Sequence, residues 1–266
     1  MIELKNITKK FNQLAAVKDI SLKIKKGEIV GFLGPNGAGK TTTLRMIAGV
    51  FPATSGQVLI NRKNIRRQAY QLKKLIGYLP ENNPLYQELT VEEFLKFWLE
   101  IKQVAKKKWL ERLTFVVKST GISDVFYRPI AQLSKGYRQR VGLSQAILTE
   151  PEILILDEPT EGLDPNQRQE IQKLIKKLGK ERTVIIASHV LSEITKIANR
   201  MIIIHKGQVV ADGTAKKLAD YKKSGLTLEV KVKDQKVAAK IKKLKGVLKV
   251  EKKVELEEVF SRLTKN

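Results

Sequence analysis

At 266 residues and 42% hydrophobic content, the chain can bury the core of one main domain with a small appendage. Having no cysteine excludes disulfides, thiolate metal sites and cysteine nucleophiles, and no apolar run approaches the roughly 20 residues that would span a bilayer. A formal net charge of +24 suits a polyanionic partner, nucleic acid or an anionic membrane surface, yet the lysines are scattered through amphipathic segments such as 72–75 and 174–178 without stacking aromatics between them, so a solvated lysine-rich surface accounts for them as well.

The chain opens on strand-like Ile2-Glu3-Leu4, which leaves no room for a secretory leader and sets the expectation of a cytoplasmic protein. Short strands are predicted over 2–7 and 15–24, with turn signals at Asn12 and Lys26-Gly27. Glu28-Ile29-Val30-Gly31-Phe32-Leu33 reads as a buried strand, and Thr42-Thr43-Leu44-Arg45-Met46-Ile47-Ala48-Gly49 as a helix. Between them stands Gly34-Pro35-Asn36-Gly37-Ala38-Gly39-Lys40-Thr41, which fits G-x-x-x-x-G-K-[ST]. In that strand–loop–helix setting, backbone amides and the positive dipole end of the helix attract phosphate. Lys40 is then expected to reach the β- and γ-phosphates, Thr41 to hold Mg²⁺ through its hydroxyl, and Thr42 to complete the phosphate-contacting set. The pattern predicts binding of a nucleoside triphosphate.

Another turn and strand follow over 54–60, and 90–120 is rich in helix. Thr90-Val91-Glu92-Glu93 has the spacing of a helix N-cap with an acidic first turn. Trp98 and Trp109 are read as helix-packing residues. After residue 130 the pattern runs helix, strand, helix, strand, as a doubly wound α/β domain requires. From about Gly225 the texture changes to the alternating 226–232 segment, a lysine-rich helix and Val247-Leu248-Lys249-Val250, a small β-α-β unit.

Glu152-Ile153-Leu154-Ile155-Leu156-Asp157-Glu158-Pro159 is an apolar strand ending in two carboxylates. A strand buried on both faces delivers its terminal side chains to the carboxyl edge of the sheet, where α/β folds bind ligands. Asp157 is suited to the Mg²⁺ shell, and Glu158 to the general base that orients a water toward the γ-phosphate. Leu133-Ser134-Lys135-Gly136-Tyr137 supplies a second helix N-terminus, with Ser134 as its cap.

These motifs resemble the ATP-binding cassette of ABC transporters over residues 1–220. The resemblance rests on the phosphate loop, a segment similar to L-S-G-G-Q at 133–137, the Asp157-Glu158 strand, Gly162-Leu163-Asp164-Pro165, and Ala187-Ser188-His189. It implies an α/β P-loop cassette over 1–220, with an antiparallel β subdomain, a helical subdomain at about 90–150 and a small α+β appendage at 221–266. ATP and Mg²⁺ are the implied cofactors, and a second cassette, facing the first head to tail as a homodimer, is the implied partner. Ser134 and Gly136 would then meet the γ-phosphate of the nucleotide held by the partner, and Asp164 would link the two sites. A histidine after a strand is by itself more often structural; the resemblance gives His189 a place at the γ-phosphate, holding the attacking water with Glu158. His205 stays unassigned. Phe11 stands where the family places an aromatic against adenine, although it could equally be a core residue.

The chain departs from the family twice. Lys135 replaces the first glycine of the signature and Tyr137 its glutamine, and Lys135 is expected to add positive charge near the transferred phosphate. Glu81 stands where the family has a metal-contacting glutamine, and a carboxylate can also ligate Mg²⁺ or its water. Both departures, and the similarity of 254–264 to L-E-[DE]-V-F-x-x-L-T, resemble the branch that serves ABC-2-type exporters, which includes drug-export and gliding-motility cassettes. That branch implies an ATPase bound to the inner face of the cell membrane through a separate polytopic permease. The alternative from another class is a soluble cassette acting on ribosomes or nucleic acid. One cassette per chain, and no coiled-coil or zinc-bearing insertion, set it second, so no nucleic-acid partner is expected.

Overall fold

The structure, a computed structural model, describes residues 2–219; the expected appendage at 221–266 and the ending at 254–264 lie outside the described residues. The hairpin β1 (Ile2–Phe11) and β2 (Leu14–Ile24) leads into β3 (Ile29–Leu33), the phosphate loop and α1 (Lys40–Ile47). Strands β4 (Ser55–Ile60) and β5 (Lys63–Asn64), the short helix α2 (Ala69–Lys73) and β6 (Ile76–Leu79) follow. Next come α3 (Val91–Ile101), α4 (Trp109–Thr120) and α5 (Lys135–Ile147). The chain then alternates through β7 (Ile153–Asp157), α6 (Pro165–Leu178), β8 (Thr183–Ser188), α7 (Leu191–Ile197) and β9 (Arg200–His205). Strand β10 (Gln208–Gly213) and α8 (Ala215–Ala219) close the described part.

These strands form two sheets. An antiparallel sheet has the order β2-β1-β4-β5, and a six-stranded sheet the order β10-β9-β3-β8-β7-β6. In the second, β9 through β6 run parallel and β10 returns antiparallel at the edge.

The parallel strands read as unbroken apolar runs because both their faces are buried. Val30 and Phe32 of β3, Ile153 and Ile155 of β7, and Ile185 and Ala187 of β8 point into a core shared with the antiparallel sheet and α1. Their neighbours Ile29 and Leu33, Leu154 and Leu156, and Val184 and Ile186 point into a second core with α3, α4, α5 and α6. Trp98 and Trp109 pack against this second core, as expected, and the Trp109 indole donates to the Val104 carbonyl at 2.8 Å. Helix α3 starts at the anticipated cap: Thr90 Oγ1 accepts from the Glu93 amide at 3.2 Å, and Glu93 Oε2 accepts from the Thr90 amide at 2.8 Å.

Strand β1 extends four residues beyond the stretch read from sequence. Its register against β2 shifts between Leu4 and Ile7 and twice more before Phe11, and Asn6 sits in the left-handed region at φ 48°. Such bulges break the two-residue alternation, so Thr8-Lys9-Lys10 does not look like strand although it pairs as one.

Ile185 is fully buried on the central strand β8, so Ile185→Ala is expected to cost about 2–5 kcal/mol. Leu110→Ala, at a side chain 79% exposed, should stay within about 0.5 kcal/mol of the parent. Urea unfolding of the two variants checks this, and equal losses would contradict the two-faced burial.

Candidate active site

Strand β3 ends at Leu33, and the phosphate loop leaves it over the carboxyl edge of the sheet. Two glycines there have no room for a side chain. A Cβ on Gly34 would lie 2.2 Å from the Ile204 carbonyl oxygen, and Gly39, at φ 104°, would place one 2.6 Å from that of Ala16. Gly39 caps α1 with backbone alone, so the first amides of the helix stay directed at the loop. Lys40 is buried, and its ammonium donates to the carbonyls of Gly34 at 2.8 Å and Pro35 at 3.2 Å. Burial pulls its pKa below the usual lysine value, against the opposing pull of Glu158, Asp157 and Glu81.

The parallel register brings the other expected groups to the same edge. Leu33 pairs with Ser188, Asp157 with Ala187, and Leu79 with Leu156. Asp157 is fully buried, and neither of its carboxylate oxygens has a hydrogen-bond partner. Burial pushes its pKa up to about 6; Glu81 and Glu158 add to the rise, while Thr41 and Lys40 oppose it. Thr41 Oγ1 lies 3.5 Å from Glu81 Oε2. These hard oxygen donors fit Mg²⁺, which takes one or two carboxylates and completes its shell with water and phosphate. The orphaned oxygens of Asp157 are what a cation would satisfy. Among the described residues no group of three or more His, Cys, Asp or Glu is placed to hold a metal ion.

Glu158 follows Asp157 in the left-handed region at φ 49° and is itself buried. Its amide donates to the Ala187 carbonyl at 3.0 Å, and its Oε1 lies 3.0 Å from Nδ1 of His189 on the loop after β8. A carboxylate and an imidazole in contact beside a phosphate loop can orient a water and accept its proton.

The remaining expected residues lie on other elements. Ser134 caps α5, its Oγ accepting from the Tyr137 amide at 3.3 Å. Asp164 caps α6, its Oδ1 accepting from the amides of Asn166 and Gln167 at 2.9 Å each. The start of α5 packs on the loop before α6, because a Cβ on Gly136 would lie 2.7 Å from Gln167 Oε1 and 3.4 Å from Leu163. The extra charge expected of Lys135 is partnered, with Nζ 3.2 Å from Glu161 Oε1. Phe11 is half exposed and meets Phe51 edge-on at 5.7 Å, with Lys9 Nζ 5.2 Å from its ring centre.

Several polar groups that hold these segments carry no sequence signal. Gln139 donates to the Glu158 carbonyl at 3.2 Å, fixing the backbone beneath the carboxylate. Asn83 donates to the Arg138 carbonyl of α5 at 2.8 Å, tying the segment that carries Glu81 to the helix that Ser134 caps. Each is an ordinary amide whose partner is distant along the chain.

A family model described as ABC transporter matches residues 17–161. The ABC transporter ATP-binding protein YhcH of Bacillus subtilis (strain 168) is 41% identical over 213 residues, covering 79% of this chain and 68% of that protein. The bacitracin transport ATP-binding protein BcrA of Bacillus licheniformis is 37% identical over 214 residues, covering 80% and 69%. Among solved structures, the dimeric post-hydrolysis cassette MJ0796 bound to ADP and Pi superimposes with a TM-score of 0.75 at 28% identity, covering 80% of this chain and 98% of that one.

The displacement of Asp157 from 3.8 to about 6 corresponds to about 3 kcal/mol. Its folded pKa lies above its unfolded value, so the protonated form stabilises the fold, and that stability is lost as pH rises through about 6. Asp157→Asn should therefore melt higher than the parent at pH 8, and the gap should close as pH falls below the unfolded value of 3.8. Thermal melts of the nucleotide-free proteins across pH 3–8 check this; a gap that does not change with pH would count against it.

Proposed function

This chain belongs to the ABC transporter family of ATP-binding proteins, and from that premise we propose that it powers an ABC-2-type exporter by hydrolysing ATP between two copies of itself. The chain is an ATP-hydrolysing cassette of α/β P-loop fold, and the residue roles below are our assignment. Backbone N–H groups over 36–39 and the ammonium of Lys40 hold the β- and γ-phosphates, with Thr41 and Thr42 at the start of α1 completing the cradle. Thr41, Asp157 and Glu81 would hold Mg²⁺, which would supply positive charge to offset that of the phosphates. Glu158 accepts the proton of the attacking water as that water approaches the γ-phosphorus. His189 fixes the Glu158 carboxylate and faces the same phosphate. Phe11 lies against the adenine.

Ser134 and Gly136 meet the γ-phosphate of the nucleotide held by the facing copy, and Asp164 lies at the contact between the two sites. ATP then closes the dimer and hydrolysis reopens it. Among the described residues no helix is long and apolar enough to cross a membrane. On this reading the transport path belongs to a separate polytopic permease. Binding to that permease holds the cassette at the inner face of the membrane, where the chain's basic excess suits anionic lipid.

The observation that carries this reading is the 3.0 Å contact between Glu158 and His189 at the sheet edge that also presents Lys40. Glu158→Gln is expected to cut turnover by about 10²–10⁴-fold while retaining ATP and forming a stable dimer. Lys40→Ala should abolish ATP retention at the same protein concentration. Turnover of Glu158→Gln equal to the parent would remove the assignment of the base. Tagged Glu158→Gln protein, isolated with ATP and gentle detergent, should bring down a stoichiometric polytopic membrane protein; ribosomal proteins or nucleic acid without one would overturn the exporter.

A further inference from the structure

We propose that Glu193 is a positioning residue that braces the Glu158–His189 pair, an inference that rests on the roles assigned to those two residues above. Glu193 lies on α7, four residues after His189, and its carboxylate is buried. Oε2 accepts from the Thr160 hydroxyl at 2.5 Å. Oε1 lies 3.1 Å from Arg168 Nε on α6, and Arg168 in turn donates to the Leu163 carbonyl at 3.3 Å. One carboxylate therefore touches three segments: the helix after His189, the turn two residues after Glu158, and, through Arg168, the residue before Asp164.

The packing of α7 does not require an acid there. Leu191, Ile194 and Ile197 carry its apolar face into the core. A buried carboxylate is costly unless it is partnered, and this one has found both a hydroxyl and a guanidinium. What it adds is geometry. The Glu158 amide on the Ala187 carbonyl and the Glu158–His189 contact join the two segments at the sheet edge, and Thr160 with Glu193 ties them again beyond it. The first two bonds both run through Glu158 itself; the Thr160–Glu193 bond is the side-chain tie that holds the turn after Glu158 against the helix after His189.

Glu158 needs that restraint, because a non-glycine residue at φ 49° is held by its surroundings rather than by its own preference. A misplacement of about 1 Å at a reacting group costs on the order of 10²-fold in rate. Glu193 has no contact with the phosphate loop among its bonds, so ATP affinity should be untouched.

The test is steady-state ATP hydrolysis by the full chain, with ATP binding measured separately. Glu193→Ala should lower kcat by about 10–100-fold and leave KM for ATP within about threefold. Thr160→Val, which removes only the hydroxyl, should reproduce that loss, and the double variant should be no worse than the poorer single one. Glu193→Gln keeps an oxygen for Thr160 and should recover at least about a third of parental kcat. Parental turnover in Glu193→Ala, KM rising in step with falling kcat, losses that multiply, or no rescue by glutamine would each overturn the brace. If Glu193→Ala fails to melt cooperatively, Thr160→Val and Glu193→Gln carry the test. Glu158→Gln run alongside separates the two ideas. An active Glu158→Gln would mean that the base was misassigned, whereas an inactive one leaves the Glu193 series to judge the brace alone.

Discussion

A parallel sheet buried on both faces is the constraint from which this site follows. Such a sheet exposes backbone and polar side chains only at its ends, and the side chains along β3, β7 and β8 are committed to two cores. The registers bring the ends of β3, β6, β7 and β8 to the same edge, stepped by about one residue from β8 to β7 and from β7 to β6. The phosphate loop follows β3, Glu81 lies two residues past β6, Asp157 ends β7 with Glu158 next, and His189 follows β8, so they converge without any helix having to bring them together. The same crowding explains the glycines: with the Ile204 carbonyl 2.2 Å from where a Gly34 side chain would begin, any larger residue would displace the loop from the edge.

Convergence creates an electrostatic problem inside a chain of net charge +24. Around Lys40 the local balance is reversed, because Asp157, Glu158 and Glu81 all act on that one ammonium. Charges in a low-dielectric setting interact strongly, and a triphosphate approaching three carboxylates meets repulsion that one lysine cannot offset. The buried Asp157 holds its proton up to about pH 6, mainly because burial penalises its charged form and in smaller part because Glu81 and Glu158 lie close. A divalent cation travelling with the nucleotide would resolve both difficulties at once. On the proposed reading, the acidic residues would be as much a reason for ATP to arrive with Mg²⁺ as a means of holding it.

What could be read from the sequence was what is contiguous in it. The phosphate loop, the paired carboxylates and the capped helices are each written within a few residues, and the apolar runs of β3, β7 and β8 announce burial on both faces. Alternation predicts a strand only over 2–7, because the register shifts between Ile7 and Lys10 remove the pattern by which strands are recognised. The ties that fix the site were not legible at all. Gln139 to Glu158, Asn83 to Arg138 and Thr160 to Glu193 join residues 19, 55 and 33 positions apart, each through a side chain common on any polar helix or loop. Only the fold puts them in register.

The two helix N-termini show why one cassette should need another. At α1 the cap is Gly39, which offers no side chain and leaves the first amides open to phosphate. At α5 the cap is Ser134, which spends a lone pair on the Tyr137 amide. A hydroxyl has one proton and two lone pairs, so capping leaves that proton to donate to an anion beyond the helix end. Asp164 at α6 cannot do this, since an ionised carboxylate only accepts, and its Oδ1 already takes two amides. Ser134 is thus a cap that retains its donor and Asp164 a cap that has none to offer. A phosphate gripped by the first helix and met by the second would be held from both sides. Within one chain, however, the start of α5 is packed against Gln167 and Leu163. On the proposed reading, a second copy turned head to tail would let both kinds of N-terminus act on one nucleotide.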